Sequence, residues 1–204
     1  MTGDPALSIT EPTDTQILIT RRFAAPPHLV YRAWTEPELI KRWWAGDHGQ
    51  VSSADIDLRV GGTWQYVTRS SNGTEVAFRG EFREILPNSR IVNTEVFEPV
   101  PDQSALNTIT FTGSGDGTTL TMLVEHGSKA ARDWHLASGM EGGLRAALDR
   151  LEQIATALSW ACLHSAGQRI PRDAGLTRLD EDPVLGSGHP DALSRPRPRT
   201  VLAP

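Results

Sequence analysis

The decapeptide TEPELIKRWW, residues 35–44, ends in two adjacent tryptophans, and a third, Trp34, lies directly before it. Thr35 and Glu38 have the spacing of a capping box, and Pro37 falls in the first turn, where its missing N–H costs nothing. Lys41 and Arg42 fall on one side of a helix with this sequence, and the apolar residues fall on the other. The stretch therefore predicts a short amphipathic helix whose tryptophans face inward. The residues on its apolar face are Leu39, Ile40, Trp43 and Trp44.

The segments before this helix predict a strand and another short helix. Residues 15–24, TQILITRRFA, have the composition of a strand. Two prolines at 26 and 27 then precede HLVYRAW, residues 28–34, which places Val30, Ala33 and Trp34 on one helical face. The chain is therefore expected to pass from a strand into two consecutive short helices.

After residue 60 the hydrophobic period changes from helical spacing to strict alternation. Inward positions at Trp64 and Tyr66, and later at Phe78 and Phe82, alternate with polar residues. The turn Ser-Asn-Gly at 71–73 separates these two strands. Three further strand patterns follow at regular spacing, which predicts an antiparallel meander. They are RIVNTEVF (90–97), ALNTITFT (105–112) and TTLTMLVEH (118–126).

A long helix is predicted over residues 129–158, with Ser128 as its N-cap. Gly139, Gly142 and Gly143 lie inside it, and each costs about 1 kcal/mol relative to alanine. Close packing on the sheet is the favoured reason, while a local bend or room for a ligand remain alternatives. The predicted apolar stripe comprises Leu136, Met140, Leu144, Ala147, Leu151, Ile154 and Leu158.

These patterns predict an α+β fold, in which a curved antiparallel sheet of about seven strands surrounds the long C-terminal helix. Residues 1–14 are expected to form a flexible arm, and residues 15–159 the folded domain. Residues 160–204 contain scattered proline and glycine without periodicity and are expected to form a disordered tail. A monomer or a homodimer is compatible with these patterns.

Composition excludes several classes of function. The net charge of −5 argues against non-specific binding to nucleic acid or to an anionic membrane surface. No stretch of about 20 apolar residues is present, and the N-terminal residues do not resemble a signal peptide. Cys162 is the single cysteine, so an intrachain disulfide is impossible. We therefore expect a soluble, cytoplasmic protein.

Four stretches together resemble the bacterial branch of the family named for the activator of the ninety-kilodalton heat-shock protein ATPase, in the START-like (SRPBCC) superfamily. The resemblance covers roughly residues 15–158 and implies a helix-grip fold. Proteins of this superfamily include lipid carriers, hormone receptors, aromatase/cyclases and chaperone co-factors, so fold alone does not select a function. The stretches are FAAPPHLVYRAWTEPELIKRWW (23–44), DLRVGGTWQY (57–66), GEFREILPNSRIVNTE (80–95) and HLASGMEGGLRAALDRLEQI (135–154).

The leading functional hypothesis is binding of a small hydrophobic or aromatic molecule between the sheet and the long helix. A stress-related role as a chaperone co-factor, or another protein-interaction role, is the first alternative. A cyclase- or hydrolase-type enzyme is the second. Trp34 and Trp43 are expected to belong to the core, whereas Trp44 could close either the core or the cavity. The residues predicted to line the cavity are Trp44, Trp64, Tyr66, Phe78, Phe82, Met122, Met140 and Leu144.

An enzyme is less favoured because the sequence pattern does not place any acid/base pair in the cavity. Catalytic residues therefore remain unassigned. Asp57, His126 and Glu141 are the first suspects if catalysis occurs. Asp57 and Arg59 are better explained by an ion pair at a strand end, followed by the Gly61-Gly62 turn. His126 and His135 lack the spacing of a metal site, and no nucleotide-binding glycine motif occurs. Neither a metal nor a cofactor is expected.

We predict that this chain alone does not strongly stimulate a chaperone ATPase. The proteins that give the resembled family its name carry an additional N-terminal domain, whereas about fourteen residues precede the first predicted strand here. The measurement is ATP hydrolysis by the ninety-kilodalton chaperone with stoichiometric protein added. A several-fold increase in the rate would contradict the prediction.

Overall fold

A computed structural model of the chain describes residues 7–167, which form an antiparallel sheet and four α-helices. The strands are β1 (Ser8–Thr10), β2 (Gln16–Phe23), β3 (Gln50–Ile56), β4 (Thr63–Arg69), β5 (Glu75–Leu86), β6 (Arg90–Phe97), β7 (Ser104–Ser114) and β8 (Gly117–His126). The helices are α1 (Pro27–Thr35), α2 (Pro37–Trp43), α3 (Lys129–Ala137) and α4 (Met140–Gly167), with a short 3-10 helix at Gly46–His48. The predicted α+β class and the two short helices after the first predicted strand are confirmed.

The sheet has the strand order β1-β2-β8-β7-β6-β5-β4-β3, and every neighbouring pair is antiparallel. Strands β3 to β8 form the predicted meander, and β2 extends the sheet by pairing with β8. The described residues contain eight strands rather than seven, because Ser8–Thr10 of the predicted arm pairs with Leu18–Thr20. A strand of three residues carries too little alternation to be found from sequence. Residues 1–6 of the predicted arm lie outside the described residues.

The prediction of one continuous helix over residues 129–158 is wrong, because this segment forms two helices, α3 and α4, separated at Gly139. Gly139 has a φ of 80°, in the left-handed region that favours glycine, so the local-bend alternative was correct at this position. Ser128 caps α3 as predicted, since its Oγ accepts a hydrogen bond from the Ala131 amide at 3.2 Å. Helix α4 continues to Gly167, beyond the boundary predicted at residue 160. The remainder of the predicted tail lies outside the described residues.

The capping box predicted at Thr35 is not formed. Thr35 is the last residue of α1, and its hydroxyl donates to the Tyr31 carbonyl at 2.9 Å instead of capping the next helix. Glu36 is the N-cap of α2 and has an extended backbone. Pro37 begins α2 as predicted, so the proline and not the threonine marks the start of this helix.

The main core lies where the middle of α4 meets the sheet, α1 and α2. Leu148 and Leu151 are fully buried there, together with Phe23 from β2 and Ile40 from α2. The predicted stripe is followed from Ala147 through Ile154, because these positions return to the same face every three or four residues. None of the helices within residues 7–167 combines the length and the apolar composition that crossing a membrane requires.

Arg21 is a charged residue on the inward face of β2 and is only 3% exposed. Its guanidinium lies 2.6 Å from the Asp149 carboxylate and 3.0 Å from the Glu152 carboxylate, both on α4. Glu152 also accepts a hydrogen bond from the Ala24 amide at 3.1 Å. These contacts attach α4 to the end of β2 and neutralise the buried cation.

We predict that Arg21→Ala lowers the free energy of unfolding by about 2 kcal/mol, the scale of hydrogen bonds to charged groups. The loss stays below that of a fully buried pair because the Asp149 side chain is 53% exposed and remains hydrated. Urea unfolding followed by far-UV circular dichroism measures this difference.

Arg22→Ala is the matched control, because Arg22 is the next residue and is exposed on the opposite face. We expect this control to change the stability by less than about 0.5 kcal/mol. Equal losses in the two variants would show that the contacts of Arg21 with α4 do not stabilise the fold.

Candidate functional site

A cavity of about 570 Å³ lies between the inward face of the sheet, α3 and the first two turns of α4. Its walls include all eight residues that were predicted to line it. Trp64, Tyr66 and Phe82 are buried on the inward face, so the strand phases were correct. These eight residues are Trp44, Trp64, Tyr66, Phe78, Phe82, Met122, Met140 and Leu144.

A continuous band of aromatic rings forms one wall of the cavity and ends at α3. Neighbouring ring centroids along it are separated by 4.7, 5.2, 4.5, 5.0 and 6.0 Å. The last ring is 43% exposed, so the band passes from the interior to the surface. Its last two members were not predicted as cavity residues. In spatial order the band consists of Trp64, Tyr66, Trp44, Phe78, Phe97 and Trp134.

The adjacent tryptophans of α2 have different environments. Trp43 is 3% exposed, and its indole N–H donates to the Ala33 carbonyl at 2.9 Å. Its ring lies 4.9 Å from that of Trp34, and both rings also reach the cavity wall. Trp44 is only partly buried and contacts the rings of Tyr66 and Phe78. Trp43 therefore belongs to the core, as predicted, whereas Trp44 connects α2 to the aromatic band.

Glu95 of β6 is the carboxylate that the sequence interpretation missed. It lines the cavity, and one of its oxygens accepts a hydrogen bond from the Asn107 side-chain amide at 2.8 Å. Burial raises the pKa of Glu95, and the hydrogen bond from Asn107 offsets only part of that effect. Burial and the charge of Glu95 also raise the pKa of Tyr66, so its hydroxyl stays protonated at neutral pH.

The sheet register sets the positions of the polar residues on the cavity wall. Glu95 pairs with Ala105, which in turn pairs with His126 on β8. Residues paired across antiparallel strands point to the same face, so all three face the cavity. Asn93 and Asn107 pair in the next inward row. Polar side chains therefore lie in two adjacent inward rows of the sheet, with the small Ala105 between Glu95 and His126.

His126 and His135 meet at the end of the cavity near α3. The Nε2 atom of His126 lies 3.1 Å from the Nδ1 atom of His135. Burial lowers the pKa of His135 to about 4, and burial together with the charge of Arg132 lowers the pKa of His126. Both rings are therefore neutral at neutral pH. Among the described residues no group of three or more metal-ligating side chains occurs.

The structure brings only one of the three suspected catalytic residues into the cavity. His126 lines it, whereas Asp57 and Glu141 do not. Asp57 instead forms an exposed ion pair with Arg59 at 2.8 Å, in agreement with the strand-end explanation. Glu141 forms one with Arg145 at 3.2 Å on the outer face of α4.

Gly142 and Gly143, near the start of α4, differ in whether the structure explains why glycine occupies the position. Gly143 borders the cavity, and a Cβ there would overlap the imidazole of His48. Gly46 of the 3-10 helix approaches the Gly143 carbonyl in the same way and has a φ of 51°. Close packing, the favoured explanation, therefore holds at Gly143, but against the 3-10 helix and not against the sheet as predicted. Nothing in the structure explains Gly142, which faces open space.

The family model described as "Activator of Hsp90 ATPase homolog 1-like protein" matches residues 24–156, which is more than half of the chain. The chain belongs to this family. The resemblance identified from the four sequence stretches is thereby confirmed. A comparison with curated proteins finds no match to this chain.

Several solved bacterial structures share the fold of this Activator of Hsp90 ATPase homolog 1-like chain. A Rhodobacter sphaeroides protein is 24% identical, with a TM-score of 0.70, over 74% of this chain and 99% of its own. A Nitrosomonas europaea protein is 25% identical, with a TM-score of 0.66, over 73% and 99%. A Mycobacterium smegmatis protein is 23% identical, with a TM-score of 0.65, over 75% and 99%. These similarities support the helix-grip architecture.

The inward position of Glu95 could have been predicted from the alternation of side chains along β6. Ile91, Asn93, Glu95 and Phe97 occupy alternate positions of β6, and all four line the cavity. The two-residue alternation that identified Tyr66 on β4, when applied to β6, places the carboxylate of Glu95 in the cavity. The meeting of His126 with His135 carried no such signal, because it depends on the angle between α3 and β8.

We predict that Glu95→Gln becomes more stable relative to the unmodified chain as the pH rises from about 4 to about 8. Because the folded-state pKa of Glu95 is raised, the folded protein binds more protons than the unfolded chain in this window. The unmodified chain therefore loses stability as the pH rises, and glutamine cannot ionise. Urea unfolding of both proteins at each pH gives the difference, in which the contributions of His126 and His135 cancel.

Glu98→Gln is the matched control for this titration. Glu98 follows the end of the same strand but is exposed and lies 3.3 Å from Arg79. We expect no gain in relative stability with pH for this variant. A Glu95→Gln protein that loses relative stability as the pH rises would mean that the cavity favours the charged carboxylate.

Proposed function

We propose that the chain binds one small, largely apolar molecule in the cavity between the sheet, α3 and α4. The observation that carries this proposal is the aromatic wall bordering a cavity of about 570 Å³. Cavities of about 300–1,000 Å³ with mainly apolar walls and a few polar groups are typical of small-molecule sites. Membership in the Activator of Hsp90 ATPase homolog 1-like family is compatible with this role but does not select a ligand.

The distribution of buried residues supports binding over simple loose packing. Well-packed protein interiors contain few voids larger than a water molecule, and an unfilled void in a core reduces stability. Leu148 and Leu151, on the same helix, are fully buried in a closed core. Met140 and Leu144 border the cavity one to two turns earlier and are only partly buried. On α4 the cavity thus borders only the N-terminal two turns, while the following turns are buried in the core.

Trp44 is proposed to close the cavity over the bound molecule. It follows the last residue of α2, and its ring lies 4.5 Å from that of Phe78 and 5.2 Å from that of Tyr66, on the facing strands. A ring in this position contributes apolar contact to a ligand and little to the core beneath α2. Trp43, the preceding residue, is buried with a satisfied indole N–H and contributes mainly to stability.

We predict that the neutral fluorescent probe N-phenyl-1-naphthylamine binds at one site per chain with micromolar or weaker affinity, because the wall offers apolar contact and few directed polar groups. Trp44→Ala should weaken this binding while leaving the fold intact. Trp43→Ala should instead reduce the free energy of unfolding by about 3–5 kcal/mol, as expected for a buried tryptophan. Probe titration and urea unfolding of each variant measure the two effects.

Trp160→Ala is the matched control, since Trp160 is 62% exposed on α4 and does not line the cavity. It should leave probe binding unchanged. The lid role is wrong if Trp44→Ala destabilises the chain as much as Trp43→Ala and leaves probe binding unaffected. Absence of saturable binding to the unmodified chain would contradict the proposed function itself.

A further inference from the structure

We propose that the ligand of this cavity is an organic cation, an apolar body carrying a positively charged nitrogen, and that Glu95 is its counter-ion. The proposal rests on the binding function inferred above and adds the chemical class of the ligand. Its basis is the charge pattern of the cavity wall and the aromatic rings of that wall.

Glu95 is the only carboxylate among the described residues that line the cavity, and no described lysine or arginine lines it. Within residues 7–167 the only polar partner of the carboxylate is the Asn107 amide at 2.8 Å, which carries no charge. Arg21 presents the opposite arrangement, since Asp149 and Glu152 neutralise that buried charge within the chain. No positively charged group among the described residues therefore stabilises the ionised form of Glu95, and a cation from outside the chain would do so as the carboxyl releases its proton.

The basic groups near the cavity do not supply that positive charge. Arg132 of α3 is 3% exposed and pairs with Glu11 and, at 2.8 Å, with Asp133. His126 and His135 are held neutral, since the surroundings lower the pKa of each ring. On β4, which is two strands away from β6 in the sheet, Tyr66 contributes an uncharged hydroxyl, because burial raises its pKa. His48 contacts the opposite side of the cavity, at Gly143 on α4.

The aromatic band gives a second, independent reason for a cation. Faces of tryptophan, tyrosine and phenylalanine attract cations, most strongly where water is excluded. On the cavity wall, the ring of Trp44 contacts the rings of Tyr66 and Phe78. Phe97, two positions after Glu95 on the same face of β6, joins that strand to this group of rings, because its ring lies 5.0 Å from that of Phe78. A cation between the carboxylate and the rings would interact favourably with both.

The same charge pattern disfavours anionic ligands such as fatty acids. A carboxylate ligand would lie in the same apolar enclosure as Glu95 without a lysine or arginine to neutralise it, so the burial of its charge would be uncompensated. The apolar body of the ligand has room beside Glu95, because the small side chain of Ala105 leaves space on the sheet between Glu95 and His126. That separation is two strand spacings, or about 10 Å.

The test compares three probes that share one aromatic body: 2-naphthylmethylamine, 2-naphthylmethanol and 2-naphthoate, titrated calorimetrically at neutral pH. At this pH the first is a cation, the second is neutral and the third is an anion. We expect the cation to bind at least about tenfold more tightly than the alcohol, a factor within reach of charge-assisted and cation–π contacts. The anion should bind most weakly of the three.

Glu95→Gln should bring the affinity for the amine to within about threefold of that for the alcohol, because it removes the charge-assisted contact but keeps the side-chain size. Its affinity for the alcohol should not change. Glu98→Gln makes the same chemical change at an exposed position outside the cavity and should retain the tenfold preference. Titrations in two buffers of different ionisation enthalpy should also show proton release with the amine that Glu95→Gln abolishes.

The outcomes separate this inference from the proposed function. If the alcohol binds and the amine shows no preference, or if Glu95→Gln retains the preference, the organic-cation inference is overturned and the binding function stands. If 2-naphthoate binds more tightly than the amine, the cavity selects anions and the inference is likewise overturned. If none of the three probes and no neutral fluorescent probe binds, the proposed function fails as well.

Discussion

Packing of α4 along only part of its length is the constraint on which the rest of the domain depends. From Ala147 to Ala155 the helix is buried against the sheet, α1 and α2, and the inward Arg21 attaches it to β2. Toward its N-terminus the same face meets the cavity through Met140 and Leu144. One end of the helix therefore secures the fold, and the other end is available to line a site without weakening that core.

The break at Gly139 gives the cavity its second boundary. Because the left-handed backbone there ends α3, the helix before it is free to take its own direction along β8. It brings Trp134 into contact with Phe97 and His135 into contact with His126. A straight helix continuing α4 backward would have carried these side chains along the axis of α4 instead. The contact between Trp134 and Phe97 and the histidine pair thus depend on the break at one glycine.

Two inward-facing charges show how the chain separates stability from function. Arg21 is surrounded by carboxylates of its own chain, so its burial is compensated when the protein folds. Glu95 has an amide as its polar partner, and its raised pKa records the cost of enclosing it. An apolar residue of similar size would avoid that cost. A carboxylate at this position is therefore understandable as a group that acts on a ligand rather than one that stabilises the fold.

Local patterns in the sequence were sufficient for the architecture, because alternation on β4 and β5 and helical spacing on α4 each depend only on near neighbours. They placed Trp64, Tyr66, Phe82 and Met140 correctly, since side-chain direction follows from the period of each element. The polar chemistry of the cavity depends instead on register between strands and on helix direction. Glu95 lies beside Asn107 because β6 and β7 pair in one particular register, and His126 meets His135 because α3 turns at Gly139. Neither relation is local in the chain, so tertiary packing alone could establish them.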